Sequence, residues 1–341
     1  MRSLDELDRQ IVVALQSDGR ASWTSIAAAV DTSVPTVARR VQQLISDRLL
    51  RVSVAPSLGS NGPVETFFTR IGCRPGTQIA VAEQLVARED VRWASLITGT
   101  YDIALELVVN SEPTRYPHTM LELQQIDGVQ RWYSDLLLHV YKVSTDWYWQ
   151  LIDDRSSTPH TAEPLLCAPH HLDRVDWAII DLLREDGRSS FKHIAGVLEL
   201  NESTVRRRFE RMIADGCASV FTIVPAPVLG LEAETLLWVQ VEPAKLNAVA
   251  SALHHHRSVR YLAATLDGNS LLCEVITDST KGLFDFTTAT LANLDGVSGW
   301  NASVELLVLK RGFVETPWWR DQVAEQTGPP RVALARGEAT S

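Results

Sequence analysis

The stretch TVARRVQQL at Thr36–Leu44 returns as TVRRRFERM at Thr204–Met212, an offset of 168 residues. The repeat is wider than these two segments. Residues 4–51 align without a gap onto 172–219, with 17 of 48 positions identical, including Asp18-Gly19-Arg20 with Asp186-Gly187-Arg188 and Ile26-Ala27 with Ile194-Ala195. Weaker matches persist beyond it, with DGV at Asp127–Val129 and Asp295–Val297, Trp132 with Trp300, and Lys142 with Lys310. Self-similarity at a fixed period constrains a fold more than composition does, because whatever one copy builds the chain must build twice. The expected organisation is therefore two copies of one two-domain unit. The polar, proline-containing stretch around Asp153–His171 serves as linker, and a loose tail follows from about Thr327.

In the first part of each copy, Leu7, Ile11 and Leu15 recur at helical spacing, with Gly19 as a stop. Ser22 can cap a short second helix with Trp23, Ile26, Ala27 and Val30 inward. Ser33 can cap a third, through about Asp47, that buries Val37, Val41, Leu44 and Ile45. Three short helices with a tight turn before the third make a helix-turn-helix, whose third helix can enter a DNA major groove. About 100° per residue puts Thr36, Arg39 and Gln43 on its outer side and Arg40 nearer the buried stripe, suited to a phosphate or to a structural ion pair. The second copy offers Thr204, Arg206, Arg207, Arg208 and Arg211.

The second part of each copy follows a β-α-β-β-α-β order, a ferredoxin-like α/β sandwich with one sheet face left for a partner. The fold class is thus α+β, in two tandem units, each a (winged) helix-turn-helix domain followed by a ferredoxin-like effector or oligomerisation domain. Boundaries fall at 1–60, 61–145, a linker at 146–171, 172–231, 232–312, and an extension and tail at 313–341.

Composition sets the remaining bounds. A net charge of −10 argues against indiscriminate coating of nucleic acid, but not against a local basic patch. No apolar run approaches about 18 residues, so no membrane partner is expected and the cytoplasm is the expected location. Cys73, Cys167, Cys217 and Cys273 form no CxxC pair, which points to reduced thiols and no metal site. His254–His256 is poor ligand geometry, since consecutive helical residues diverge. The pairs Trp147/Trp149 and Trp318/Trp319 suit packing anchors. Nucleophile elbow, Walker loop and GxGxxG are all absent, and no catalytic residue or cofactor is expected.

The opening LDELDRQIVVALQSDGR, the Ile26-Ala27 helix and the Thr36-to-Arg40 TxxRR pattern resemble the signature of the leucine-responsive, feast/famine (Lrp/AsnC) family of transcriptional regulators, as does TGTYD at Thr98–Asp102. The resemblance covers roughly residues 4–143 and 172–310. It implies double-stranded DNA as partner, no enzymatic activity, and a small effector, commonly an amino acid. By position it implies Gly99, Tyr101 and Asp102 as effector residues. It also implies a homo-oligomer or, given the duplication, an intrachain pseudo-dimer. In the second copy Asn269 and Ser270 replace the Tyr-Asp pair, so effector sensing is expected of the first copy alone. The tandem architecture also resembles siroheme decarboxylases, but VRWASLITGTYDIALELVV holds no histidine. A protein that binds effector or assembles without touching DNA is the other alternative.

Overall fold

The computed structural model describes residues 4–327 apart from 59, 61, 113, 145–146, 149–166, 168–170 and 269. Most of the expected linker, the tail, Trp149 and Asn269 lie outside the described residues.

The first head consists of α1 (Glu6–Ser17), α2 (Trp23–Ala29), α3 (Val34–Ser46) and the strand β1 (Arg51–Pro56). Each helix starts at a side-chain cap: Asp8 N–H donates to Asp5 at 2.8 Å, Ser25 N–H to Ser22 at 3.0 Å, and Thr36 N–H to Ser33 at 3.3 Å. The apolar stripe closes over Ile11, Leu15, Ile26, Val37, Val41 and Leu44, all buried. Ile45 does not join it and is 45% exposed, as is its repeat Ile213 at 36%. Eight residues after Val37, Ile45 stands about 80° round the helix, past a stripe already filled by Leu44.

The second head repeats this with α6 (Arg174–Glu185), α7 (Phe191–Leu198), α8 (Glu202–Ala214) and β6 (Ala218–Ile223). Asp173 and Asp176 form a reciprocal capping box on α6. Contrary to the expectation of reduced thiols, Cys167 and Cys217 are joined as a disulfide, tying the end of the linker to the residue just beyond α8. Cys73 and Cys273 are free and buried.

The first body runs β2 (Val64–Cys73), α4 (Gln78–Val86), β3 (Val91–Ile97), β4 (Ile103–Asn110), α5 (Arg115–Gln124) and β5 (Val129–Val143). The second runs β7 (Ala233–Val241), α9 (Leu246–His254), β8 (Val259–Thr265), β9 (Leu271–Thr277), a helical segment from Thr280 and β10 (Val297–Arg311). That last segment is α10 (Thr280–Asp285) only at its start; a π-turn over Phe286–Thr290 and a 3-10 turn complete it. The hydroxyls of Thr287 and Thr288 both donate to the Phe284 carbonyl, local bonds that compete with a regular helix.

The 15-residue strands β5 and β10 decide the architecture. At about 3.3 Å per residue each spans roughly 50 Å, enough to serve two sheets in succession. The first half of β5 pairs with β2, from Cys73↔Val129 to Phe67↔Leu136; its second half, from Leu137, pairs with β8 of the other copy. In the same way β10 pairs with β7 up to Val304 and with β3 from Glu305. Bulges at Leu137/His139 and Glu305/Leu307 mark the crossings, where an extra residue bends the strand. The result is a closed ring, β10-β3-β4-β2-β5-β8-β9-β7 and back to β10, in which every sheet edge is paired.

Closure settles what covers the sheet faces away from the helices: they face each other within one chain. Phe68, Trp93, Ala104, Trp238, Tyr261 and Leu272 form the shared inner layer, while each copy's helices cover its outer face. The repeated lysines belong to the same exchange. Lys310 reaches the carbonyls of Val86 and Arg88 at the C-terminal end of α4, and Lys142 reaches the His256 carbonyl just past α9. Each thus donates to carbonyls of the opposite copy, where a helix end favours a cation. Burial pulls the Lys310 ammonium down to about 8.

Beyond β10, the short β11 (Val314–Glu315) and α11 (Trp319–Thr327) are built onto the first body, with Val314, Trp318 and Trp319 buried in its core. The extension at 313–341 therefore begins as an ordered brace. Trp147 is buried against the first head.

Candidate nucleic-acid interface

The two heads are locked together. β1 and β6 pair antiparallel from Arg51↔Ile223 to Pro56↔Ala218, so each head completes its partner's wing. The repeated Asp-Gly-Arg sits at this junction. Arg20 Nη1 donates to the Gly187 carbonyl and its Nη2 to that of Ser189 at 3.1 Å. Arg188 returns the contact to the carbonyls of Gly19 and Ala21, the latter at 2.8 Å. The guanidinium of Arg20 lies over Phe191, 4.6 Å from the ring centre, and that of Arg188 over Trp23 at 3.8 Å. Burial lowers both guanidinium pKa values.

Gly19 and Gly187 carry more than the stop expected of them. The C-terminal caps of α1 and α6 are Asp18 and Asp186. A Cβ on Gly187 would stand 2.7 Å from Ser53 N and 2.8 Å from the Val52 carbonyl, and one on Gly19 would stand 2.8 Å from Val220 Cγ1. Only glycine lets the opposite wing approach this closely. The identity of Asp-Gly-Arg in both copies is visible in the sequence, but nothing in its spacing signals this contact between the heads.

On α3, Arg39 and Gln43 are exposed and Thr36 half-buried. Thr36 Oγ1 is engaged with Ser33 Oγ at 2.8 Å, and Gln43 Nε2 donates to Asp47 at 2.7 Å. Arg40 takes the structural option, bonded to Asp5 at 2.5 Å and to fully buried Asp8 at 3.1 Å. Pairing this buried carboxylate, Arg40 fastens α3 to α1. Arg208 does the same in the second head, to Asp173 at 2.8 Å and Asp176 at 2.9 Å, and Arg211 adds a 2.6 Å contact to Asp176. The hydrogen bonds to Asp5 and to Asp173 raise the Arg40 and Arg208 pKa values respectively. Arg206 pairs with Glu202 one turn back at 2.9 Å and lies over Phe191. Thr204 is half-buried. Of the recognition-helix arginines, Arg39 and Arg207 are exposed and make no ion pair among the described residues. They occupy equivalent positions in the two heads.

The expected effector residues sit in the β3–β4 turn. Gly99 has φ +102°, in the left-handed region that favours glycine. Asp102 is committed locally: its Oδ2 accepts from Cys73 N–H at 2.7 Å and its Oδ1 from Gln78 Nε2 at 3.4 Å. Half-buried Tyr101 lies between Arg70 and Arg131, 5.4 and 5.0 Å from its ring centre. In the histidine run, a His254 ring nitrogen meets the Tyr141 carbonyl at 2.9 Å, while His255 meets the Ser251 carbonyl at 2.7 Å, so the two rings serve different partners.

Two linked heads on an eight-stranded closed body define a tandem helix-turn-helix protein with a ferredoxin-like core. Residues 4–45 and 172–213 both match the AsnC-type helix-turn-helix domain. The chain is 30% identical over 154 residues to an uncharacterized HTH-type transcriptional regulator of Pyrococcus horikoshii, covering 44% of this chain and 98% of that protein. It is 32% identical over 143 residues to one of Pyrococcus furiosus, covering 42% of this chain and 97% of that protein. The chain belongs to the Lrp/AsnC family, in a form that carries the family's unit twice. Over 94% of its length it also has the fold of the siroheme decarboxylase NirDL, with a TM-score of 0.60 at 10% identity. That likeness concerns the fold alone. None of the described helices is long and apolar enough to cross a membrane.

Proposed function

We propose that the protein is a sequence-specific DNA-binding transcriptional regulator whose two heads read the two halves of one asymmetric site. One observation carries this reading: the heads are coupled through a shared wing and the Arg20/Arg188 exchange, and α3 and α8 each present one exposed arginine that makes no ion pair among the described residues. A fixed pair of reading helices demands fixed half-site spacing, one helical turn or a multiple of it. Arg39 and Arg207 are the side chains left for base edges or phosphates, with Gln43 and Arg206 beside them. The other arginines brace the helices that carry these two. Because Gln43 is matched by Arg211, and Ala38 by Arg206, the halves need not be alike.

An amino acid or related metabolite is the proposed effector of the Gly99–Asp102 turn. The family resemblance supports it, as does the placement of Tyr101 between two arginines. Asp102, bonded to Cys73 and Gln78, would hold this turn in shape.

The test is a selection of binders from random duplex DNA, repeated with Arg39→Ala and Arg207→Ala. A two-part consensus is expected, each variant blurring a different half, with affinity falling steeply with salt. Absence of enrichment at low salt, with amino acids present, would refute the reading. Equal, sequence-independent losses would show that both arginines touch only phosphate.

A further inference from the structure

A cavity of about 290 Å³ lies where the connector after β6 passes β10 and the ends of β7 and β8. This is close to the lower end of the range of about 300–1,000 Å³ usual for small-molecule sites. Part of its lining wall is apolar, with Trp147, Pro225, Leu231 and Trp318, and part is charged, with Glu234, Arg260, Glu305 and Arg311; Arg260 lies over the Trp147 ring where the two meet.

The charges on that wall do not balance. Arg260 bonds Glu234 at 2.9 Å and Glu274 at 2.9 Å through Nε, and Arg311 reaches Glu274 at 3.2 Å. Glu305 is left over. It is 8% exposed, neither carboxylate oxygen accepts a hydrogen bond among the described residues, and as the acid it can donate only to Glu274. Its carboxylate lies within 4.8 Å of those of Glu234 and Glu274. Burial, then Glu274 and Glu234, push the Glu305 acid well above its usual range, while Arg260 and Arg311 pull the other way. A buried carboxyl group that no donor reaches, set beside two other acids, costs stability, so its presence calls for a reason.

The duplication supplies an internal comparison. At the 168-residue offset, Arg260 and Glu274 match Arg92 and Glu106, which pair in the first copy. Glu234, Glu305 and Arg311 match Thr66, Leu137 and Val143. Leu137 is buried in the shared inner layer. The ring therefore closes at the equivalent corner without the extra acids, and Glu305 is not required by the fold.

We propose that this cavity binds a small primary organic ammonium ion with an apolar body, anchored on the Glu305 carboxylate. An ammonium group brings donors to the Glu305 carboxylate, which accepts no hydrogen bond among the described residues, and the apolar part of the lining receives the rest of the molecule. A carboxylate on the same ligand would find Arg260 and Arg311 already paired and three acids nearby. The site thus selects amines over amino acids. A divalent metal would have to sit against the two guanidinium groups that hold these carboxylates. Binding converts Glu305 from acid to carboxylate, and the displaced proton leaves to solvent. The groups facing it during that change are Glu234 on β7, Arg260 on β8, Glu274 on β9 and Arg311 on β10 itself. None of this depends on the DNA reading, because binding is measured on the free protein.

The experiment is calorimetry on the full chain with n-butylamine, cyclohexylamine and 2-phenylethylamine, with L-phenylalanine as the carboxylated counterpart of the last. At least one amine is expected to bind one to one, with a buffer-dependent heat that reports proton release. Phenylalanine should bind at least about tenfold more weakly, the scale of one charge-assisted hydrogen bond. Glu305→Gln should weaken amine binding by at least the same factor. Glu305→Leu, which places the first copy's residue in the second, should keep a cooperative thermal transition and lose binding. Failure of all three amines to bind the folded wild type at millimolar concentration would overturn the proposal. So would equal affinity for phenylalanine, unchanged binding by Glu305→Leu, or a response to manganese or zinc in place of amines.

Discussion

Replacing Arg20 by alanine removes one half of the reciprocal contact between the heads. Two charge-assisted bonds disappear, to the carbonyls of Gly187 and Ser189, together with the stacking on Phe191 and Phe209. A hydrogen bond to a charged group contributes about 1.5–3 kcal/mol, so two give roughly 3–6 kcal/mol before the freed carbonyls are rehydrated. Gly187 is buried and Ser189 half-buried, so rehydration recovers part of this, leaving an expected loss of about 2–4 kcal/mol. The assay is urea denaturation followed by circular dichroism, with hydrogen exchange reporting on both heads. Arg20→Lys should recover less than half of the loss, because an ammonium cannot span two carbonyls as a planar fork does. The double variant with Arg188→Ala should cost more than the two singles added, since the two guanidinium groups repel each other across the junction and either single already relieves that repulsion in full. A loss below about 0.5 kcal/mol for Arg20→Ala, or full recovery by lysine, would show that the heads are held by the shared wing alone.

Two further outcomes follow from the same geometry. Gly187→Ala should destabilise by about 1–3 kcal/mol, since its Cβ meets the backbone of Val52 and Ser53, and that backbone cannot simply rotate away. Gly196→Ala, on α7 with nothing within 4 Å, should be neutral or stabilising by up to about 1 kcal/mol, as thermal unfolding of the two variants will compare. Burial and the neighbouring Asp267 raise the Asp135 carboxyl from 3.8 to about 6. Between these values the folded state holds a proton that the unfolded state has lost, so stability falls as pH rises through this window, by up to about 1.4 kcal/mol per unit. Asp135→Asn should flatten that slope in denaturation measured from pH 4 to 6.5. An unchanged slope would place the titration elsewhere.

The primary sequence by itself determined the local structure. Side-chain caps at Ser22, Ser33 and Asp173, the stripe of Val37, Val41 and Leu44, and the β-α-β-β-α-β order are all short-range patterns, set by periods of 3.6 and 2 residues and by the hydrogen-bonding needs of helix ends. It also determined that everything occurs twice. What it left open were contacts between segments about 168 residues apart, which leave no periodic trace. The tertiary structure decided that β5 and β10 each serve two sheets, that Asp-Gly-Arg clasps the opposite head, and that Arg40 and Arg208 hold buried aspartates. The arginines show the distinction most clearly. Helical periodicity alone sets Arg39 outward and Arg40 nearer the buried stripe, but only the position of Asp8 beneath Arg40 decides that it is a structural ion pair and not a phosphate contact. Glu305 was equally silent: one glutamate in a strand carries no signal until the ring closes and buries it beside two other acids.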